Sequence, residues 1–96
     1  MTLPVHRKTD NCSGHGCWPP RQPTSWSPDV FANSLNQVRL TDSYVIHCCG
    51  STCHSGVVVS GSSTVFANGL EYARYSDPIS CGSRCYEHSS DVFAGD

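Results

Sequence analysis

Residues 47–69 read HCCGSTCHSGVVVSGSSTVFANG, a stretch that joins two kinds of sequence. Its first eight residues hold three cysteines and two histidines, and the remainder is apolar and interrupted by glycine and serine. Short apolar runs between such turn-forming residues are typical of β-strands, and we predict a hairpin around residues 60–63. The cysteines and histidines could be disulfide partners, metal ligands, a catalytic pair or chance neighbours.

The end of this stretch recurs along the chain. The repeated motif is found at residues 29–33 (DVFAN), 64–69 (TVFANG) and 91–95 (DVFAG). A second motif, Arg-x-x-Asp, alternates with it, at residues 7–10, 39–42 and 74–77. Internal repeats of this kind indicate copies of one structural unit. We therefore predict a single domain, residues 1–96, with three units at about 7–33, 39–69 and 74–95.

Each unit is predicted to consist of β-structure and loops. Val-Phe-Ala followed by Asn or Gly is a short strand that ends at a turn residue, and no segment shows helical spacing over the roughly ten positions that a helix needs. The proline-rich residues 17–28 are predicted to form an irregular loop, because proline lacks the N–H that a strand ladder uses. The fold class is therefore all-β, with three β-repeats related by pseudo-threefold symmetry.

Length and charge restrict the function. A chain of 96 residues that is 38% apolar has a thin core, and such domains usually need disulfides, a metal ion or a partner. The net charge is −2 and there is no basic run, which argues against binding nucleic-acid phosphates. The sequence has no apolar stretch of membrane-spanning length, and its polar N-terminus is unlike a secretory signal. We therefore expect assembly in a cytoplasm.

The seven cysteines and five histidines are interpreted in that light. In a reducing compartment, clustered cysteine and histidine more often form a metal site than a disulfide framework, and an odd number of cysteines cannot be fully paired. Single cysteines can also be small buried apolar residues. His6 has no counterpart in the other units and is expected to be a surface or hydrogen-bonded residue. The composition favours metal binding over disulfides.

The repeats suggest which residues bind the metal. Five residues after the Asp of the Arg-x-x-Asp motif stand His15 in the first unit and His47 in the second, and four residues after it stands Cys81 in the third. Equivalent positions can converge near a pseudo-threefold axis, and His54 is the best fourth ligand of a tetrahedral site because it shares a loop with His47. His88 could replace His54. Three cysteines flank these histidines and could displace one of them: Cys48, Cys49 and Cys53.

Several motifs together resemble the PAAR-repeat family. They are the alternation of Arg-x-x-Asp with the Val-Phe-Ala motif, GHGCWPPR at residues 14–21 and CHSGVVVSGSSTVFANG at residues 53–69. More narrowly, the chain is similar to the short spike-tip proteins of contractile-tailed bacteriophages of the T4 type. The resemblance covers about residues 5–95. Three residues stand where family members usually have glycine: Thr9, Thr41 and Ser76.

The resemblance implies a small cone whose vertex holds one metal ion, typically zinc, through three histidines and one cysteine. Iron also suits such ligands. The broad base would sit on the blunt end of a trimeric β-helical spike protein, and one monomer would cap each trimer. The sequence assigns no residues to this contact. The protein would then be a component of a virion tail that is assembled in the host cytoplasm. It would sharpen a contractile spike that crosses a bacterial outer membrane.

Two other functions fit parts of the sequence. A cysteine and a histidine can form a nucleophile and its base. However, four protein ligands leave no open position on a metal, and so small a domain has little room for a substrate pocket. We therefore expect no catalytic residue, no enzymatic activity and no small-molecule substrate. The alternative is a small zinc-binding interaction module, an adaptor or a nucleic-acid knuckle, which would not need three registered repeats.

Overall fold

The computed structural model describes residues 2–96, and its regular elements are short β-strands. Within this range there is no helix of the length and apolarity that crossing a membrane requires. The all-β fold predicted from the sequence is confirmed. The strands are, in chain order, β1 (Thr2–Pro4), β2 (Phe31–Ala32), β3 (Leu35–Asn36), β4 (His47–Cys49), β5 (Thr52–His54), β6 (Phe66–Ala67), β7 (Leu70–Glu71) and β8 (Phe93–Gly95).

The strands form two-stranded antiparallel ribbons: β2 with β3, β4 with β5, β6 with β7, and β1 with β8. In three of these ribbons a leucine lies directly opposite an alanine. The pairs are Leu35 with Ala32, Leu70 with Ala67, and Leu3 with Ala94. The ribbon of β1 and β8 is therefore equivalent to the hairpins β2-β3 and β6-β7. The first and last strands complete a ring of three similar units around one axis.

The two hairpins are closed by turn residues with positive φ. Asn33 (55°) and Ser34 (67°) join β2 to β3, and Asn68 (55°) and Gly69 (78°) join β6 to β7. Positive φ at both central positions defines the type I′ turn, whose twist matches that of paired antiparallel strands. The Val-Phe-Ala-Asn motif thus specifies a strand together with its turn, as the sequence predicts.

A triangle of backbone hydrogen bonds joins the three units. The N–H of Val38 donates to His6 O at 3.2 Å, that of Ala73 donates to Val38 O at 2.9 Å, and that of His6 donates to Ala73 O at 3.0 Å. The side-chain amide nitrogen of Gln37 lies within hydrogen-bonding distance of all three carbonyl oxygens, at 2.8–3.2 Å. Three equivalent residues therefore meet around one axis.

Each Arg-x-x-Asp motif is a turn closed by an ion pair. The carboxylate of Asp42 accepts hydrogen bonds from the backbone N–H of Arg39 at 2.7 Å and from its guanidinium at 3.0 Å. The same ion pair joins Arg7 to Asp10 and Arg74 to Asp77. The residue before each aspartate has a left-handed backbone: Thr9 (φ 76°), Thr41 (72°) and Ser76 (71°).

The core has two parts. One cluster lies among the three Val-Phe-Ala ribbons and consists of Val5, Ala32, Val65, Tyr72, Val92 and Ala94. The second consists of Cys12, Val38, Tyr44, Val58, Ala73, Ile79 and Cys85, with Trp26 and Cys81 packed against it. Because Val38 and Ala73 also belong to the backbone triangle, the triangle is continuous with the second cluster, against which Cys81 packs.

The hairpin predicted around residues 60–63 is wrong. Val57 pairs with Ser43 and Val58 with Ile79, because Val58 fills the second core cluster. The irregular loop at 17–28 is confirmed, since no described strand falls there. His6 is hydrogen-bonded, with Nδ1 2.7 Å from Glu87 O, but it is fully buried, so a surface position is excluded.

Candidate metal centre

Four side chains from the three units converge at one place. Each offers one ligand atom, and these four atoms all lie within 4.8 Å of one another; the residues are His15, His47, His54 and Cys81. The Nε2 atom of His15 lies 3.2 Å from Nε2 of His47 and 2.9 Å from Nε2 of His54. The structure thus brings together the three residues that the repeat spacing predicts as ligands and His54, the predicted fourth ligand.

The ribbon of β4 and β5 sets two of these histidines opposite each other. His47 pairs with His54, and the neighbouring Cys48 pairs with Cys53. Because side chains alternate along a strand, the two histidines point to one face of the ribbon and the two cysteines to the other. Cys48 and Cys53 form a disulfide there, with Cα atoms 4.1 Å apart. The strand register therefore explains why the histidines, and not these cysteines, face the other ligands.

A tight turn presents His15. His15 and Trp18 exchange backbone hydrogen bonds of 3.0 and 2.8 Å. Gly14 precedes the turn with φ 69°, and a Cβ added there would lie 2.5 Å from the carbonyl oxygen of Trp18. Glycine is therefore required at this position. A second disulfide, between Cys17 and Cys49 with Cα atoms 5.4 Å apart, ties the turn to β4.

Cys81 comes from a turn in the third unit. The N–H of Gly82 donates to Ile79 O at 3.0 Å, and the N–H of Ile79 donates to Ser83 O at 2.9 Å. Gly82 has φ 102°, and a Cβ added there would lie 3.8 Å from the ring of His15. The Cys81 thiol is free and half-buried. Its backbone is thus fixed within a closed turn beside the histidines.

Protein groups around the histidines favour the protonation state that binds metals. Nδ1 of His47 lies 2.9 Å from the carbonyl oxygen of Pro19. Since a carbonyl can only accept, Nδ1 carries the proton and the Nε2 lone pair is left for a ligand bond. Desolvation lowers the pKa of His15, and repulsion from His47 and His54 lowers it further. Both effects favour neutral imidazole.

The donor set fits a four-coordinate ion. Zinc–nitrogen bonds of about 2.0–2.1 Å place two nitrogens of a tetrahedron about 3.3 Å apart, close to the 2.9 and 3.2 Å between the Nε2 atoms. Neutral imidazoles with lone pairs turned toward one another repel, and a cation between them reverses that repulsion. Three imidazoles and one thiol form a nitrogen and sulfur set of the kind found in structural zinc sites.

The sequence matches the PAAR motif over residues 1–87. The chain belongs to the PAAR motif family. The PAAR motif is that of a structural family found at the tips of spikes in injection machines. Metal binding is consistent with the same motif and with the His/Cys group described above.

A curated protein similar to this PAAR chain is named double-stranded DNA deaminase toxin A, from Burkholderia cenocepacia (strain H111). The two are 39% identical over 67 residues, which are 70% of this chain and 5% of the toxin. So small a share of the toxin does not transfer the activity in its name.

The other candidate ligands left open by the sequence make different contacts in this PAAR domain. Nδ1 of His88 is 2.6 Å from Ser89 O, and its ring packs edge-on against Tyr75 with centroids 5.2 Å apart. Cys48, Cys49 and Cys53 are held in disulfides. Cys12 and Cys85 are free and buried in the second core cluster. The composition favoured metal binding over disulfides, but four of the seven cysteines form disulfides.

Sequence reasoning missed the role of Trp18. Its ring stacks on His15 and on His54, with centroids 5.0 Å apart in both cases. The indole Nε1–H donates to Thr52 O at 3.1 Å, which fixes the ring against β5. A signal was present, because Trp18 follows His15 by three residues within GHGCWPPR. Trp18 covers one side of the histidine group and holds two of its rings in place.

Proposed function

We propose that His15, His47, His54 and Cys81 bind one zinc ion in a closed structural site. The observation that carries this proposal is the approach of four nitrogen and sulfur ligand atoms to within 4.8 Å of one another. Four protein ligands leave no position for water or substrate, so the ion stabilises the fold and does not catalyse a reaction. Iron is the second candidate, because imidazole and thiolate also bind it.

We propose further that this protein is the tip of a contractile spike. One chain with three near-equivalent units can meet three identical chains in nearly the same way, and only a single chain can taper to one point. In this proposal one monomer caps one homotrimeric β-helical spike protein, whose exposed strand edges at its blunt end need covering. The threefold ring of leucine–alanine ribbons supports this stoichiometry.

The proposed role is mechanical. A narrow tip concentrates the driving force on a small area only if the point does not deform, and a thin core alone does not ensure that in a small domain. An ion held by one or two ligands from each unit would cross-link all three units. We propose that such a tip lets the spike breach a bacterial outer membrane, as part of a phage tail assembled in the host cytoplasm.

Metal analysis of the purified protein tests the site. We expect one ion per chain, its loss in the variant His47→Ala/His54→Ala, and its retention in the control His88→Ala. Chelation should lower the melting temperature sharply, because structural zinc contributes on the order of 10 kcal/mol. Less than about half an ion per chain would overturn the proposed site, since a structural ion is retained at full occupancy.

Genetics tests the role. In a phage that carries this gene, we expect deletion of the gene, or the substitution His47→Ala/His54→Ala, to reduce infectivity. Purified spikes should contain one copy of the protein per trimer. Particles that assemble and infect at full efficiency without the protein would contradict a piercing function, and three copies per trimer would contradict the capping geometry.

A further inference from the structure

Three phenylalanines stand at equivalent positions of the three units and are exposed to the same degree. The exposed fractions are 54% for Phe31, 52% for Phe66 and 53% for Phe93. Each lies in a Val-Phe-Ala strand in which the following alanine is buried. Since alternate residues of a strand face opposite sides, the alanines fill the core and the phenylalanines remain on the surface of all three ribbons.

The backbone beneath these rings is firmly held. A fully buried serine precedes each Val-Phe-Ala strand, and its hydroxyl oxygen accepts a hydrogen bond from the valine N–H. The pairs are Ser27 with Val30 (2.9 Å), Ser62 with Val65 (3.0 Å) and Ser89 with Val92 (2.9 Å). Each phenylalanine is thus attached to a strand whose start is fixed in the interior.

Polar contacts also join each ribbon to the next one around the ring. The side-chain amide of Asn33 donates to Asp91 and that of Asn68 donates to Asp29, both at 2.8 Å. The hydroxyl of Ser62 donates to the carbonyl oxygen of Gly95. The first unit therefore contacts the third, the second contacts the first, and the third contacts the second. This cyclic order fixes the spacing of the three phenylalanines.

The three phenylalanines lie apart from the metal centre. The Val-Phe-Ala strands enclose the first core cluster, whereas Cys81 packs against the second. Other exposed apolar residues lack this symmetry. Val45, for example, is 40% exposed three residues after Asp42, but the equivalent positions after Asp10 and Asp77 hold serine. Exposed phenylalanine repeated in all three units thus distinguishes this face from the rest of the surface.

We propose that Phe31, Phe66 and Phe93 form the docking surface for the homotrimeric spike, each ring contacting one of three identical chains. This inference rests on the proposed function and names the contacts within it. A single partner chain would use one ring and leave two exposed to water, whereas a threefold partner buries all three equivalently. Buried aromatic side chains are the usual anchors of protein interfaces.

The test measures binding of this protein to the homotrimeric spike protein encoded in the same genome. Three single variants, Phe31→Ser, Phe66→Ser and Phe93→Ser, are compared with the triple variant and with Val45→Ser as a control. We expect each single variant to weaken binding by about tenfold and the triple variant to abolish it, because aromatic anchors at an interface each contribute more than about 1 kcal/mol. Melting temperature and metal content verify that the variants are folded.

The outcomes separate this inference from the proposed function. If the wild-type protein binds the trimer and the triple variant binds equally well, the docking surface is wrong and the capping role stands. If one phenylalanine carries the whole effect, the equivalent use of three rings is wrong. If the wild-type protein does not bind the trimer, both proposals fail. Self-association of the protein that disappears in the triple variant would assign this face to a second copy and overturn the inference.

Discussion

At the scale of single residues, the position before each of the three aspartates carries a side chain, although its backbone conformation favours glycine. Thr9, Thr41 and Ser76 all have φ between 71° and 76°. For a residue with a Cβ, this left-handed conformation costs roughly 1–2 kcal/mol. The ion pair between the arginine and the aspartate of each motif spans this residue and holds the turn in this conformation. Glycine at any of these three sites would therefore make the folded protein more stable.

We predict that Ser76→Gly raises the free energy of unfolding by about 0.5–1 kcal/mol, because relief of the left-handed strain exceeds the entropy that glycine adds to the unfolded chain. Chemical denaturation measures the change. The matched control is Ser63→Gly, since Ser63 does not have a positive φ, and it should lose stability. Equal effects at the two serines would show that backbone conformation is not the cause.

His6 is a second residue whose position limits stability. It is fully buried at the place where the other two units have Val38 and Ala73, and its Nε2 atom has no hydrogen-bond partner among the described residues. Burial lowers the pKa of His6 below the ordinary value of 6.5, against the raising effects of the Glu87 carbonyl and of the nearby carboxylate of Asp10. The folded protein therefore keeps this histidine neutral.

This burial predicts acid sensitivity. Below pH 6.5 the unfolded chain binds a proton that folded His6 does not, so stability falls as the pH drops from 6.5 toward the lowered pKa. Within this window the loss is at most about 1.4 kcal/mol per pH unit. We expect His6→Val, which installs the residue of the second unit, to reduce the dependence of stability on pH. Denaturation at several pH values compares the two, and parallel curves would contradict the prediction.

At the scale of elements, the sequence predicts some strands well and others poorly. The Val-Phe-Ala-Asn strands and their turns are encoded locally, because a β-branched and an aromatic residue precede a residue that tolerates positive φ. The valines at 57–59 carry the same local signal, but their partners, Ser43 and Ile79, belong to other parts of the chain. Pairing between distant segments is not visible in local pattern, and the predicted hairpin failed for that reason.

The disulfides, too, could not be predicted from the local sequence. Cys48 and Cys53 become disulfide partners only because the register of β4 and β5 places them opposite each other. Composition suggested a shared role for all cysteines near the histidines. Strand alternation places Cys48 and Cys53 on the face away from the histidines, and Cys49 is held by its disulfide with Cys17.

We predict that the double variant Cys48→Ser/Cys53→Ser lowers metal affinity by about tenfold, the range found for groups that orient metal ligands. The disulfide crosses the ribbon beside His47 and His54, so its loss frees their backbones to move. Competition with a chromophoric chelator measures the affinity. The control is Ser51→Ala, in the turn of the same ribbon, which should bind metal as the wild type does. Unchanged affinity in the double variant would show that the ligands are held by other contacts.

At the scale of the whole molecule, the repeats in the sequence are enough to predict three similar units around an axis. They do not predict how the third unit is completed. Its Val-Phe-Ala strand, β8, pairs with β1 from the other end of the chain, and the leucine of the Leu-x-x-x-Arg segment at residues 3–7 takes the place of Leu35 and Leu70. A ring closed by the first and last strands is a long-range property that only the structure reveals.

The region around the axis and the region of the histidine group are stabilised differently. Around the axis, His6, Val38 and Ala73 are joined by the backbone triangle and lie against the buried core. At the histidine group, by contrast, the turns that carry His15 and Cys81 are short. Ile79 and Cys81 reach the second core cluster, whereas His15 belongs to neither cluster. Hydrogen bonds between Ser13 and Arg84 join the two segments next to these turns. The bound ion would join the ligand ends of the turns, so its removal should loosen them first.

We therefore expect chelation to accelerate hydrogen exchange by about 100-fold or more at the amides of the two ligand turns, and by much less at the triangle, because exchange follows the local free energy of opening. The amides of Trp18 and Gly82, both hydrogen-bonded within their turns, report on the first region, and those of Val38 and Ala73 report on the second. The metal-free variant His47→Ala should behave like the chelated protein. Equal acceleration at all four amides would mean that the ion supports the whole fold, whereas no acceleration at Trp18 and Gly82 would mean that it does not brace the tip. If the ligand turns loosen while the triangle stays folded, the rigidity that the proposed piercing role requires comes from the ion.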